Sequence, residues 1–380
     1  MMNAAMNGVA NGVMDTAKKR WRNLTTLLER PKPQVGFTPA EVVHRENKWS
    51  LLHYRGTPRF RTPVLLVPSL INRHYVLDLL PGKSFAEFLV KQGHDVYMID
   101  WGRPEDEDRY LTFDDVCDGY LGRAIRKIAQ TAHSKVHLFG YCLGGTLTTI
   151  HTSTHPEHVA SLVQIAAPVK FTDDGQLSAW TRAPFFDVDA LVDVLGNVPA
   201  WLMQSAFQML RPTMSIAKLV HLVDKAGDDD FLEGFRAIET WANDNVSFPG
   251  EVYRRYVKEL YQEDRLIKGT FALSGRPARL DAIRVPVLAI TFEHDNIVPW
   301  RSAAAVVDAV SSADKEHLHL PGGHVGSVVS RAAKKHLWPK ISSWMAERDG
   351  VAIPVAQVAS SAIVAAPSRA TRARPDARAR

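Results

Sequence analysis

"KVHLFGYCLGGTLTTI", residues 135–150, is the stretch on which the reading of this chain turns. The apolar run over 135–140 predicts a strand. A tight turn follows, and then a helix reaching to about residue 155. Cys142 stands at the apex of the turn between Gly140 and Gly144. A residue held on so sharp a strand-to-helix turn adopts a strained backbone, and a side chain at either flanking glycine would strike the strand or the helix. The central reactive atom then projects free of the sheet. The Leu143 N–H, at the helix N-terminus, is placed to hold an oxyanion, and the helix dipole there favours a thiolate. Cys142 therefore reads as a nucleophile. Cys117, within "DDVCDGYLGRAIRKIAQ", lies on a helical pattern with no such turn and reads as a small packing residue.

Working outward, apolar segments alternate with helical ones. A strand is read in "KWSLLHYRG" (48–56) and a stronger one in "TPVLLVPS" (62–69), whose unbroken apolar run suits burial on both faces. Next come a helix in "SFAEFLVKQG" (84–93), a strand in "DVYMID" (95–100), a helix near 113–131 and, after the elbow, a strand in "VASLVQIAAP" (159–168). This alternation predicts an α/β fold with a mostly parallel central sheet flanked by helices. The rhythm lapses between about 170 and 275, where Trp, Phe, Met and Leu recur at helical spacing, as in "AWLMQSAFQMLRP". That region predicts an inserted helical cap with an apolar inner wall. Alternation resumes with "VPVLAITFEHDNIVP" (285–299), a helix over 301–310, "EHLHLPGGH" (316–324) and a last helix to about 347. The expected division is a helical or irregular leader over 1–34, an α/β core over 35–169 and 276–348, a cap over 170–275 and a disordered Ala/Pro/Arg-rich tail over 349–380.

A nucleophile needs a base, and fifteen histidines compete for the role. His137 lies inside a strand, His151, His155 and His158 trail the elbow helix, and His317 and His319 sit on a strand. His324 differs, because "LPGGHVGS" puts it in a glycine-rich loop just after the last strand. The acid is expected at the end of an earlier strand. There Asp295 is preferred over its neighbours Glu293 and His294, because "D-x-I-V-P" follows the strand and the proline turns the chain away. Nucleophile, acid and base then run in the order Cys142, Asp295, His324, the chain order of an α/β-hydrolase triad. A second oxyanion donor is expected from the loop after the early strand, from the backbone of Leu70 or Ile71.

Composition narrows the alternatives. The 380 residues are 46% hydrophobic, ample for one large core. Two cysteines cannot make a disulfide scaffold, no apolar run spans a bilayer, and the N-terminus lacks the basic start of a signal peptide, so a cytoplasmic protein is expected. The net charge of +5 is concentrated in the last thirty residues, where five arginines stand against one aspartate and leave about +1 for the rest. The body has no basic stripe, and a nucleic-acid partner is not expected.

With these residues in view, the chain resembles the polyhydroxyalkanoate synthases, in particular the shorter class III catalytic subunit. The resemblance is carried by "VPSLINRHYVLDLLPGKSFAEFLVKQGHDVYMIDWGRPEDEDRYLTFDD", by "HLFGYCLGG", by "WANDNVSFPGEVYRRYVKELYQEDRLIKG", and by "FEHDNIVP" and "PGGHVGS". It spans roughly residues 35–347. It implies an α/β-hydrolase fold and transfer of (R)-3-hydroxyacyl groups from coenzyme A to a growing polyester. It further implies that Cys142 carries the acyl chain as a thioester, that His324 takes the thiol proton, and that Asp295 orients His324 or assists the incoming hydroxyl. A thiol suits that task, since thioester exchange is nearly isoenergetic and the thiolate leaves readily when a hydroxyl attacks. No cofactor or metal is called for, because the coenzyme A thioester is the substrate. The sequence does not fix which basic residues meet the coenzyme A phosphates, and Arg73 is a candidate. An accessory subunit, a homo- or hetero-oligomer and the surface of a polymer granule are the expected partners and place. The rival readings are a cysteine hydrolase of the dienelactone hydrolase type, a depolymerase of the same polyester, and an inactive granule-associated scaffold.

Overall fold

The continuous apolar runs of the sequence become the centre of one sheet. The computed structural model describes residues 14–16, 18–25, 31–210 and 214–349. Among them β1 (Ala40–Glu46), β2 (Trp49–Tyr54), β3 (Val64–Val67), β4 (Val96–Asp100), β5 (Val136–Tyr141), β6 (Val159–Ile165), β9 (Val287–Phe292) and β10 (Lys315–Leu320) form an eight-stranded sheet in the order β1-β2-β4-β3-β5-β6-β9-β10. The hairpin β1–β2 and the pair β2–β4 are antiparallel, and every other pairing is parallel. Every residue of β3, β5 and β9 is buried, because helices cover both faces.

The helices that do the covering are α1 (Phe85–Gln92), α2 (Gly122–Ala132), α3 (Leu143–Thr154), α10 (Trp300–Ala309) and α12 (Trp338–Glu347). α1 shows why such helices start and stop where they do. The Ser84 hydroxyl accepts from the Glu87 N–H at 2.9 Å, Phe85, Ala86 and Leu89 face inward, and Gly93 at φ 90° ends the helix. Two apolar clusters result, one on each side of the sheet.

Between β6 and β9 the chain is helical: α4 (Gln176–Thr181), α5 (Val188–Leu195), α6 (Ala200–Met209), α7 (Met214–Asp224), α8 (Asp229–Ala242) and α9 (Gly250–Arg255), which runs into a π-helical turn at Tyr256–Gln262. A short ribbon, β7 (Ala272–Leu273) with β8 (Arg276–Pro277), leads back to the sheet. Arg255 ties this insertion down: it pairs with Asp114 at 2.7 Å and lies over the Phe113 and Phe271 rings.

Two details depart from the sequence reading. The sheet begins one strand earlier than expected, at β1, whose AEVVHRE sequence carries three charges because it is an exposed edge. Asn47, at φ 48°, makes the turn into β2. The helix expected near 113–131 opens with a π-helical turn, Asp115–Leu121. The tail expected over 349–380 lies outside the described residues apart from Asp349, as does most of the leader.

Candidate active site

β3 is where the sheet changes direction, with β4 on one side and β5 on the other, and the carboxyl ends of strands at such a point form a crevice. Cys142 follows β5 at that crevice. Its backbone sits at φ 56°, ψ −131°, a conformation a non-glycine residue holds only when its surroundings impose it. The imposition is visible. A Cβ on Gly140 would lie 2.5 Å from the Thr148 hydroxyl, and one on Gly144 would collide with the carbonyl oxygens of Val67 and Pro68. Gly145, not singled out by the sequence reading, is equally crowded, with Gln164 Oε1 2.7 Å from its would-be Cβ. The contact at Gly144 presses the start of α3 against the loop leaving β3.

That loop is held from several sides. Trp101 Nε1 donates to the Pro68 carbonyl at 2.9 Å, and the Ser69 hydroxyl accepts from the Ile71 N–H at 3.3 Å. From the insertion, the Val246 N–H donates to the Ile71 carbonyl at 3.3 Å, Asn72 bonds Asn245, and Trp241 Nε1 donates to the Arg73 carbonyl at 2.9 Å. Leu70 and Ile71 are both buried. The Leu143 N–H opens α3 and, like the first amides of any helix, has no acceptor within its own helix.

Asp295 and His324 arrive from the ends of β9 and β10. His324 Nδ1 lies 2.7 Å from Asp295 Oδ2. The other carboxylate oxygen accepts from the Ile297 and Val298 N–H groups at 2.9 and 2.8 Å, so Asp295 is locked by its own turn. Both side chains are nearly sealed from solvent. Burial alone would lower the pKa of His324, but the charge of Asp295, then Cys142, and its hydrogen bonds to both outweigh it and push it up to about 10. Cys142 is thus near enough to act on the His324 imidazole. Tyr141, which the sequence reading passed over, supports the base. Its hydroxyl donates to the His324 carbonyl at 3.3 Å, and its ring lies 5.2 Å from the imidazole.

The insertion completes the surroundings. Cys142 packs against both apolar clusters. Tyr256 and Tyr261, whose rings meet edge to face at 5.3 Å, have their hydroxyls pushed up by burial and further by the nearby Cys142. Phe171 packs against both. Cys117, by contrast, is fully buried, its Sγ facing the Leu147 carbonyl at 3.4 Å and its thiol pushed well up by burial.

Arg73 is placed differently from its expectation. Its guanidinium donates to the Gly102 carbonyl at 2.9 Å and to Asp100 at 3.3 Å, and only 16% of the side chain is exposed. Asp100, which burial would raise, is held at about 2 by His74 and Arg73. These internal partners tie the loop after β3 to β4 and argue against a phosphate contact at Arg73.

Sheet order, elbow and buried acid–base pair define an α/β-hydrolase-fold enzyme. The alpha/beta hydrolase fold family model matches residues 62–329, and the model for the poly-beta-hydroxybutyrate polymerase (PhaC) N-terminus matches residues 6–89. The chain belongs to the poly(3-hydroxyalkanoate) polymerase subunit PhaC family and is an acyltransferase. It is 36% identical over 344 residues to that subunit of Allochromatium vinosum, covering 88% of this chain and 96% of the relative. To the subunit of Thiocystis violacea it is 34% identical over 346 residues, covering 90% and 97%. To that of Haloferax mediterranei it is 33% identical over 351 residues, covering 88% and 71%. Among solved structures, a monoacylglycerol lipase of Paleococcus ferrophilus superposes with a TM-score of 0.51 at 18% identity, covering 80% of this chain and 100% of the lipase, a likeness of fold. Among the described residues, no helix is long and apolar enough to cross a membrane.

Proposed function

We propose that this polymerase carries its growing chain on Cys142 as a thioester and takes (R)-3-hydroxyacyl-coenzyme A, 3-hydroxybutyryl-coenzyme A in the first place, as substrate. The observation that carries the reading is the sealed Asp295–His324 pair beside a cysteine on a strained elbow. With its pKa pushed up to about 10, His324 already holds the Cys142 proton on Nε2 in the resting enzyme, Nδ1 being engaged by Asp295, so the pair rests as thiolate and imidazolium. The thiolate attacks the thioester carbonyl, and the Leu143 N–H with an amide of the 70–71 loop holds the oxyanion. Coenzyme A leaves with the proton from His324. A 3-hydroxyl then attacks the Cys142 thioester, giving up its proton to His324 as the ester forms and the thiol is restored. Both oxygens of Asp295 are already occupied, which favours an orienting role over direct activation of the hydroxyl. The buried aromatic surroundings keep water from the acyl-enzyme.

An accessory subunit and the polymer surface are proposed as partners of the insertion, whose Phe185, Val194 and Trp201 are exposed by 88%, 82% and 66%. The purified chain with 3-hydroxybutyryl-coenzyme A tests the reading. Coenzyme A release together with insoluble polyester supports it, and release with only soluble hydroxy acid identifies a hydrolase. Absence of turnover in the presence of an accessory subunit points to a scaffold.

A further inference from the structure

The far end of the elbow helix carries a second cluster that the reaction does not use. His151 and His155, one helical turn apart, stack with ring centroids 5.1 Å apart and planes at 18°. Asp118 faces them from the π-helical turn before α2, its Oδ1 3.8 Å from His155 Nε2. One donor atom from each of the three lies within 4.8 Å of the other two. His151 is 98% buried, by its 2% exposure, and its Nδ1 has no hydrogen-bond partner. His155 Nδ1 is engaged by the Thr154 hydroxyl at 2.9 Å, which fixes the ring and leaves Nε2 toward Asp118. That is how an outer partner orients a metal-ligating histidine. Gly122 makes the room: a Cβ there would lie 2.9 Å from His151 Cε1 and 3.4 Å from Asp118 Oδ1. Helical π-turns recur where a side chain must be re-aimed for function, as Asp118 is here.

We propose that Asp118, His151 and His155 bind one divalent transition-metal ion of the zinc class, fastening the C-terminal end of the elbow helix to the π-helical turn. Two imidazoles and a carboxylate suit zinc, with water completing the shell. The donors close by small rotations to the roughly 2.0–2.2 Å bond lengths zinc requires. The Arg126 guanidinium also borders Gly122, and binding of the ion requires it to move aside. Cys142 lies at the opposite end of α3, about 20 Å away along a 13-residue rise, so the ion takes no part in acyl transfer. The sequence reading called for no metal because the coenzyme A thioester is the substrate, and it took His151 and His155 only as residues trailing the elbow helix.

The test uses untagged full-length chain, freed of metal by chelation and dialysed against zinc, with Cys142→Ala as the parent so that the active-site thiol contributes nothing. The parent is expected to retain one zinc per chain by metal analysis and to unfold at a higher temperature with zinc than without. His155→Ala and Asp118→Asn, both at partly exposed positions, are expected to weaken zinc binding at least tenfold and to abolish the thermal shift. Cobalt in the Cys142→Ala parent is expected to show a visible spectrum without a thiolate charge-transfer band. A parent that retains no zinc, or two variants that bind it as the parent does, overturns the proposal.

Discussion

The sheet and the insertion between β6 and β9 are both rich in apolar residues, yet they use them in opposite ways. β3, β5 and β9 are buried end to end, and the elbow, acid and base all hang from strand ends. Along α6 no residue is buried, and Phe185, Val194 and Trp201 stand in solvent. The inner faces of the insertion join both core clusters, one through Val188, Val192, Phe248, Tyr256 and Leu260 and the other through Ala237 and Trp241, and Leu202, Met203 and Phe207 of α6 pack against the first only partly buried. The difference teaches a division of labour. The strand ends that carry Cys142, Asp295 and His324 are fixed by a close-packed core, while among the described residues the helices of the insertion leave several large apolar side chains exposed.

The sharpest test of that division compares the two cysteines. Cys142→Ala is expected to lower coenzyme A release by at least about a thousandfold with the fold retained, while Cys117→Ala keeps activity within a few-fold. Iodoacetamide at neutral pH is expected to label Cys142 first, since Cys117 is sealed and its thiol is held protonated. Labelling of Cys117 ahead of Cys142 breaks the assignment.

The acid–base pair comes next in size. His324→Gln is expected to prevent the first acylation, seen as no mass increase of the intact protein after one addition of substrate. Asp295→Asn is expected to slow loading and elongation together, as an orienting residue would. A variant that loads at the wild-type rate and then stalls returns Asp295 to the incoming hydroxyl.

The same pair gives stability a pH dependence. His324 has its pKa raised from an ordinary value of 6.5 to about 10 in the folded chain. The folded state therefore holds that proton more tightly than the unfolded chain does. The stabilisation is complete below pH 6.5 and is lost as pH rises through about 10. Denaturant unfolding of wild type against His324→Gln is expected to show the difference shrinking over that window. A difference independent of pH shows that the pair is not charged as described.

Smaller effects probe where the two regions touch. Asn245→Ala and Tyr75→Phe remove ties between the insertion and the β3 loop, the latter a hydroxyl donating to Asp244 at 2.7 Å. Each is expected to reduce kcat by about fivefold, equivalent to ~1 kcal/mol, with KM little changed. A change in KM alone would assign the ties to substrate binding. Smallest of all, Val194→Ser and Trp201→Ser are expected to leave stability within about 0.5 kcal/mol while lengthening any lag that an accessory subunit relieves. Loss of stability instead would show that those side chains pack in the free chain.

The site was legible because its chemistry is local. Glycine at 140 and 144 around Cys142, a carboxylate closing "FEHD" and a histidine in "PGGH" each follow a segment read as a strand, and each segment became one. β1 was missed because an edge strand lacks the apolar run that betrays a buried one. The supports of the site were illegible for a different reason. Tyr141, Tyr256 and Tyr261 read as ordinary aromatic residues until folding brings them to His324 and Cys142. Arg73 looked available because its partner Asp100 lies 27 positions away.

The sequence by itself pointed to the alternation of strands and helices, the strained turn and the three side chains that the strand ends bring to one crevice, because each signal depends on residues a few positions apart. Tertiary structure alone decided that Asp295 meets His324, that Arg73 is occupied, that the insertion grips the β3 loop, and that Asp118 meets His151 and His155. Those are pairings across long stretches of chain, set by how the sheet closes and its helices pack, and no local pattern encodes them.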